Sequence, residues 1–343
     1  MTPGAITPGA PERAPEPRAA PVGLQEVQAP VRASLDRVVE DLGRILSAGD
    51  GVAAEVSSHL ATMRGKLFRP TLLLLASGVA GRPEPRAVSV AAALEVLHLA
   101  SLVHDDAVDH SVLRRGLPTI NALFGHQTAV LMGDLLYARA LTELVRLGDW
   151  DVARVFADAS TRMTLGELRQ LGVEDALKFN EADYDQLIRA KTASLFGAAS
   201  ELGALCGAPA YRVPLARYGE RLGMLFQVVD DLLDYTGVQE ETGKPSGLDL
   251  REHKVTLPLI AALPHLDRAA RRRVDELFAD RDPDDALVAE VVAIVAAHGG
   301  LEYARRRVEG LAADAESALT GLPDSPSRAA LADAIAYAQD RRS

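Results

Sequence analysis

The sequence predicts an all-α protein, a single-domain bundle of long helices. Three observations lead there. Alanine and leucine dominate an apolar fraction of 48%, while aromatics reach only 4%; both biases favour helix over strand. Apolar residues recur at helical spacing from about Val31 onward. No stretch alternates as a half-buried strand would.

In chain order, residues 1–28 open "MTPGAITPGAPERAPEPRAAPVG", with a Pro/Ala/Gly bias and no apolar signal core. That predicts a disordered, dispensable tail rather than a secretory leader. Residues 29–343 hold no internal linker and are predicted to form one all-helical domain. "VRASLDRVVEDLGRIL" places Leu35, Val38, Val39, Leu42, Ile45 and Leu46 on one stripe. "PEPRAVSVAAALEVLHLASLVHDDAVD" reads as one long helix. "QTAVLMGDLLYARALTELVRLG", "DYDQLIRAKTASLFGAASELGALCG" and "VPLARYGERLGMLFQVVDDLLDYTG" are apolar on much of their circumference, as central helices are. "DPDDALVAEVVAIVAAHGG" is amphipathic, with Asp282 predicted as N-cap and Pro283 at the first helical position. "TLLLLASGVAG" is short and broken by glycine, and no apolar run approaches the roughly 18 residues of a membrane span.

A net charge of -11 excludes a general nucleic-acid or anionic-membrane surface. Any bound anion must meet a local basic cluster. The one cysteine, Cys206, sits among Ala and Leu and is predicted to pack as a small hydrophobe. The expected location is a reducing, cytoplasmic compartment.

Against this background one pattern is expensive. Asp105, Asp106 and Asp109 close one long apolar helix, and Asp230, Asp231 and Asp234 repeat the D-D-x-x-D spacing late in another. Carboxylates near a helix C-terminus oppose its dipole, at roughly 0.3–1 kcal/mol each, and neighbours repel. Residues four apart share a helix face, so Asp105 with Asp109, and Asp230 with Asp234, each make a two-carboxylate face. His98 and Ser101 lie within roughly 40° of Asp105 in helical projection, and Gly223, Phe226 and Gln227 within roughly 60° of Asp230. Two matched clusters of hard oxygen ligands, without a Cys/His set, point to a divalent metal other than zinc. Mg²⁺ takes one or two carboxylates plus substrate phosphates, so a bridged diphosphate fits between the clusters.

Cations stand at the right places for it. Arg114 and Arg115 follow the first motif; Lys66 and Arg69 lie in "RGKLFRP"; Lys244 and Lys254 follow the second motif. Lys191 and Thr192 interrupt an otherwise apolar helix, and a buried lysine needs a partner.

The ordered elements G-K-x-x-R-P, E-x-x-H-x-x-S-L-x-H-D-D-x-x-D, R-R-G-x-P-T, G-D-x-L, K-T-A, F-Q-x-x-D-D-x-x-D, G-K and D-L-x-x-x-K-x-T-L-P resemble the trans-type polyprenyl diphosphate synthases, from roughly Leu35 to the C-terminus. The resemblance implies an isoprenoid synthase-like bundle around a deep central cavity, a homodimer, and head-to-tail joining of isopentenyl diphosphate to an allylic diphosphate. By the same resemblance, Asp105, Asp109 and Asp230 are direct ligands among three Mg²⁺. Asp106, Asp231 and Asp234 are secondary ligands or act through metal-bound water. Arg114, Lys191, Lys244 and Lys254 hold the allylic diphosphate, and Lys66, Arg69, His98 and Arg115 hold isopentenyl diphosphate. Thr192 and Gln227 flank the reacting carbons, and the released diphosphate is the base that takes the final proton. Two positions depart from the family pattern: Arg64, where a second glycine is common, and His253, also often glycine.

Chain length is read the same way. In this family bulky residues four and five positions before the first aspartate stop growth early. Here those positions are Ser101 and Ala100, both small. With the short D-D-x-x-D form and the quinone-side-chain-like "EVLHLASLVHDD", they imply a long all-trans product, roughly C30–C50. Geranylgeranyl or farnesyl diphosphate synthesis is the alternative. A long product partitions into membrane, so loose membrane association is conceivable without any anchor in the sequence. A class I terpene cyclase and a non-catalytic subunit of a heteromeric synthase are remote, since both aspartate motifs and the isopentenyl-site cations are intact.

Overall fold

The structure, a computed structural model, describes residues 22–47, 50–63, 65–81, 83–172, 175–237 and 247–341. Its helices are α1 (Leu24–Gln28), α2 (Arg32–Leu46), α3 (Val52–Thr62), α4 (Phe68–Ser77), α5 (Pro85–Val108), α6 (Ile120–Phe124), α7 (His126–Leu147), α8 (Trp150–Leu171), α9 (Glu181–Ile188), α10 (Ser194–Gly207), α11 (Arg212–Thr236), α12 (Leu248–Arg251), α13 (Leu257–Ala262), α14 (Arg268–Ala279), α15 (Asp285–Ala297), α16 (Gly300–Leu319) and α17 (Pro326–Gln339). The all-α expectation holds, apart from one two-residue hairpin, β1 (Leu113–Arg114) paired antiparallel with β2 (Leu117–Pro118).

The bundle is organised around α5, α10 and α11. α5 packs on α2, α4, α7 and α10, and α11 lies between α10 and α16. One apolar cluster runs from Val27 to Ala338. In α4 the run Leu72 to Leu75 is fully buried, each leucine contributing roughly 1.5–3 kcal/mol of transfer free energy.

Four sequence expectations need correction. The tail ends before residue 28: residues 1–21 lie outside the described residues, but α1 is helical with Val27 buried. The Gln28 amide donates to the Lys66 carbonyl at 3.0 Å, which ties α1 to the bundle. Apolar residues at 22, 24 and 27 supply a stripe that the Pro/Ala composition concealed. Second, α5 is long and apolar enough to span a membrane by length and composition, with a mean hydropathy of 1.6 over its best window. It is mostly buried among the other helices, where a helix apolar on every side belongs. Third, α15 begins at Asp285. Asp284, not Asp282, is its N-cap and accepts from the Leu287 N–H at 2.8 Å; the Pro283 carbonyl instead accepts from Arg251. Fourth, the region between α5 and α6 is not purely helical, because a tight turn at Arg115 and Gly116 folds it into the hairpin.

Candidate active site

Both acid clusters sit where their helices stop. α5 ends at Asp109, whose N–H bonds the Asp105 carbonyl at 2.8 Å, and the chain then turns through His110 at φ 52°. In the following hairpin Arg115 and Gly116 both have positive φ (53° and 76°), the signature of a turn whose twist matches the strands. Arginine in that conformation is strained, at about 1–3 kcal/mol. The turn sends its two arginines apart. Arg114 reaches back to buried Asp106, Nε donating at 2.8 and 2.9 Å. Arg115 donates to the Met63 carbonyl at 2.9 Å. Arg114 is thus paired with a carboxylate of its own motif. The helix-end geometry leaves Asp106 on the hairpin side, where the guanidinium offsets its burial.

In the second motif the three carboxylates diverge. Asp231 is buried and accepts from Tyr184 Oη at 2.5 Å and Gln227 Nε2 at 2.9 Å. Asp234 accepts the Leu248 and Asp249 N–H groups, each at 3.1 Å, and so caps α12. Asp230 is paired with Arg341, just beyond α17.

Lys191 and Thr192 lie in a π-helical turn, Arg189–Ala193, between α9 and α10. Such bulges recur at functional sites because they re-aim side chains. Two glycines let neighbouring helices close on this turn. A Cβ on Gly166 of α8 would stand 3.0 Å from the Ala190 Cβ, and one on Gly223 of α11 only 2.6 Å from the Ala193 Cα. The approach brings Lys191 Nζ to Glu167 at 2.5 Å and Gln170 at 3.3 Å. It also brings the Thr192 hydroxyl to Gln227 Oε1 at 2.7 Å.

A second group forms around Arg115: buried Glu95 lies in the field of Arg69 and Arg115, and Lys66 and His98 each lie in the field of Arg115 as well. Arg69 donates to His98 Nε2 at 3.0 Å. A guanidinium only donates, so that nitrogen accepts and the ring proton is on Nδ1. Burial holds His98 well below its usual pKa, with Arg69 and Arg115 adding to the effect. Burial also lowers Arg69 to about 10, against the opposing fields of Glu95 and Asp230. The cations rest on aromatic faces: Arg69 lies 4.7 Å from the Phe196 centroid and Arg341 3.8 Å from that of Phe226.

A cavity of about 690 Å³, a volume usual for a small-molecule site, joins the second motif to Lys191, Thr192, Gln227, Asp249 and Lys254. Lys191 pulls on Asp105, and Asp109 acts on Lys254, so these two lysines couple the first motif electrostatically to the cavity. Burial works against the Lys254 charge, but Glu252 at 2.7 Å, joined by Asp109 and Asp249, outweighs it. Burial pushes Asp105 up to about 6, opposed by Lys191. It pushes Asp249 up to about 7, with Asp234 adding repulsion, and Asp231 up to about 8, with Asp249 adding to it.

This surplus of buried acid fits a divalent cation. All donors are hard oxygens, and among the described residues no three acidic or imidazole groups converge as a ready-made metal site. Mg²⁺, which completes its shell with substrate phosphates and water, suits such open carboxylate pairs.

The same burial predicts a pH dependence. A carboxyl raised above its unfolded value, near 3.9, costs stability progressively as pH climbs from about 4 to its folded pKa, because the unfolded chain sheds the proton first. In metal-free protein Asp249→Asn is expected to raise the unfolding midpoint by a few degrees. That gain should grow between about pH 4.5 and about pH 7.5 and then level off. A gain independent of pH would contradict a buried Asp249 whose charge Lys254 offsets only in part.

The predicted residues therefore divide. The Lys66 group, the π-turn pair with Gln227, and the second motif with Lys254 are each brought together. Lys244 lies outside the described residues, as does Arg64. Ala100 is buried, and the Ser101 hydroxyl bonds the His98 carbonyl at 2.8 Å; neither lines the cavity. His253 adopts φ 56°, which explains why glycine suits that position. Its Nε2 donates to the Asp280 carbonyl at 2.7 Å, holding the turn. Sequence reasoning missed Glu167, Gln170, Tyr184, Asp249 and Arg341. Asp249 lay within the quoted D-L-x-x-x-K element and Arg341 in the basic C-terminal "RRS"; the other three carried no local signal.

The Polyprenyl synthetase family model matches residues 51–295. The chain is 38% identical over 319 residues to an all-trans-nonaprenyl-diphosphate synthase (geranyl-diphosphate specific) of Rhodobacter capsulatus, covering 92% of this chain and 98% of that one. Its fold is similar to a decaprenyl diphosphate synthase from Rhodobacter capsulatus, with TM-score 0.86, 35% identity and coverage of 93% and 99%. It is also similar to a polyprenyl synthase from Caulobacter crescentus CB15 complexed with calcium and isoprenyl diphosphate, with TM-score 0.89, 32% identity and coverage of 95% and 100%. On this identity, sustained along nearly the whole chain and joined to the two aspartate motifs, the chain belongs to the polyprenyl synthetase family, in its long-chain trans-polyprenyl diphosphate synthase branch.

Proposed function

We propose that this chain condenses isopentenyl diphosphate head-to-tail onto an allylic diphosphate and releases a long all-trans polyprenyl diphosphate. The observation that carries the reading is the pair of aspartate motifs at the ends of α5 and α11, coupled through Lys191 and Lys254. Asp105, Asp109 and Asp230 would hold Mg²⁺, with Asp106, Asp231 and Asp234 fixing the surrounding structure. Bound there, Mg²⁺ neutralises charge developing on the departing diphosphate.

The chain's own groups do the rest. Lys191, Lys254 and Arg114 take the allylic diphosphate, and the family pattern gives Lys244 the same role. Lys66, Arg69, His98 and Arg115 receive the isopentenyl diphosphate; neutral His98 contributes a hydrogen-bond donor there without adding charge. The oxygens of Thr192 and Gln227 offer dipoles to the allylic cation formed as the C–O bond breaks, stabilising it without trapping it. The isopentenyl double bond attacks, and the proton lost afterwards goes to the released diphosphate. Apolar walls exclude the water that would quench the cation.

A homodimer is part of the proposal. Leu131, Leu141 and Val145 of α7 are exposed on one side, and Trp150 beside them is 86% exposed; such a patch suits a second copy. The test is the purified single chain with Mg²⁺, isopentenyl diphosphate and farnesyl diphosphate, its mass measured by sedimentation in the same buffer. The expected result is a dimer making long-chain product. Inactivity relieved by a small partner subunit, a product no longer than C20, or a monomeric active enzyme would each overturn the corresponding part.

A further inference from the structure

Three side chains of the site are joined by a fourth that the family motifs leave without a role. Tyr184 of α9 is 2% exposed. Its hydroxyl donates to Asp231 Oδ2 at 2.5 Å, and Gln227 Nε2 donates to Asp231 Oδ1 at 2.9 Å. Thr192 Oγ1 in turn donates to Gln227 Oε1 at 2.7 Å. The chain of bonds crosses from α9 through α11 to the π turn, and all four residues line the cavity.

We propose that Tyr184 is a positioning residue for the condensation, holding Gln227 and Thr192 so that only oxygen lone pairs face the reacting carbons. The proposal rests on the function assigned above. A primary amide has two unlike edges, one donating and one accepting, and can turn over about its last torsion. With Nε2 drawn to Asp231, Oε1 must face Thr192. With the single Thr192 proton engaged by Oε1, that hydroxyl turns its lone pairs outward. A turned amide would instead direct N–H groups at Thr192 and the cavity, the wrong polarity for a developing carbocation.

Asp231 is the pivot, and Tyr184 is what steadies it. Asp231 is four residues after Gln227, on the same helical face, whereas adjacent Asp230 projects about 100° away. Without the phenol, a buried carboxyl oxygen loses its hydrogen bond. Asp231 can then relax and release the amide. Tyr184 lies outside both aspartate motifs and carries no formal charge, so its effect should reach the chemistry only through Gln227 and Thr192.

The test is Tyr184→Phe in the full chain, assayed with Mg²⁺ and both diphosphates beside wild type. The expected result is a fall in kcat of about tenfold with KM for each substrate held within about twofold, the pattern of an interaction that matters in the transition state. The ratio of allylic alcohol to condensed product should also rise, because a cation no longer held against the isopentenyl double bond by fixed oxygen dipoles is captured by whatever water the loosened site admits. That ratio does not depend on how much enzyme is folded. In a Thr192→Val background, Tyr184→Phe should cost less than about twofold more, since coupled residues are not additive. Additive losses, or a Tyr184→Phe enzyme with unchanged kcat and alcohol ratio, overturn the proposal. If Tyr184→Phe does not fold, Asp231→Asn goes through the same cycle, because its amide can donate to Gln227 and favours the turned orientation; additivity with Thr192→Val again overturns it. A wild-type chain that condenses nothing overturns the assigned function and the proposal together, whereas a working wild type with additive variants overturns the proposal alone.

Discussion

Replacing Asp105 or Asp230 by alanine is expected to lower turnover by about three orders of magnitude or more, equivalent to about 4 kcal/mol of transition-state stabilisation. The size follows from what each carboxylate is asked to hold. Divalent-metal contacts to a developing diphosphate are among the largest electrostatic terms an enzyme deploys. The two variants should differ in stability. Asp105 is held up to about 6 chiefly by burial, so its removal relieves a desolvation cost in the metal-free protein and should not lower the unfolding midpoint. Asp230 balances Arg341, whose side chain is only 8% exposed. Removing Asp230 leaves that cation uncompensated and should destabilise the C-terminal segment. Circular dichroism should show intact helicity in both. Near-normal condensation by either variant would sink its assignment as a metal ligand.

Enlarging the residues before the first motif is expected to change the product rather than the rate. By the family resemblance, Ala100→Tyr or Ser101→Phe should shift the main product from a long chain to about C20 or shorter; neither residue lines the cavity, so the added ring would act by blocking a tail that grows past α5 beyond it. The two positions test this unequally. Ala100 is 2% exposed in the packed centre of α5, where extra volume commonly costs about 1–3 kcal/mol; Ala100→Tyr should also lower the unfolding midpoint. Ser101 is less enclosed and gives up only a local bond to the His98 carbonyl, so Ser101→Phe should act with less strain. Chromatography of the extended products reads the outcome. Unchanged long product from both variants would move the length-determining wall elsewhere, and a wild-type product of C15 or C20 would refute the long-chain reading.

The metal and diphosphate chemistry was legible because it is local. An aspartate pair four residues apart on a helix shares a face whatever surrounds it, and a repeated pattern that opposes the helix dipole marks itself. The same argument identified Lys191 as needing a partner. It could not name Glu167 and Gln170, which come from a different helix. The exposed apolar side of α7 was equally hidden, since α7 reads as apolar nearly all round and only packing reveals which side stays uncovered.

The sequence by itself determined the all-α architecture, the two acid clusters, and the cation types around them, because helix periodicity and charge placement act within a few residues. Only the tertiary structure decided what each charged group does with its neighbours. Asp106 turned to Arg114, Asp234 to the cap of α12, and Asp230 to Arg341 at the far end of the chain. Tyr184 was drawn under Asp231 by the packing of α9 on α11. These pairings join residues up to 111 positions apart. Their energies depend on burial and on angstrom-scale approach, such as that allowed by Gly166 and Gly223 at the π turn, and a linear pattern encodes neither.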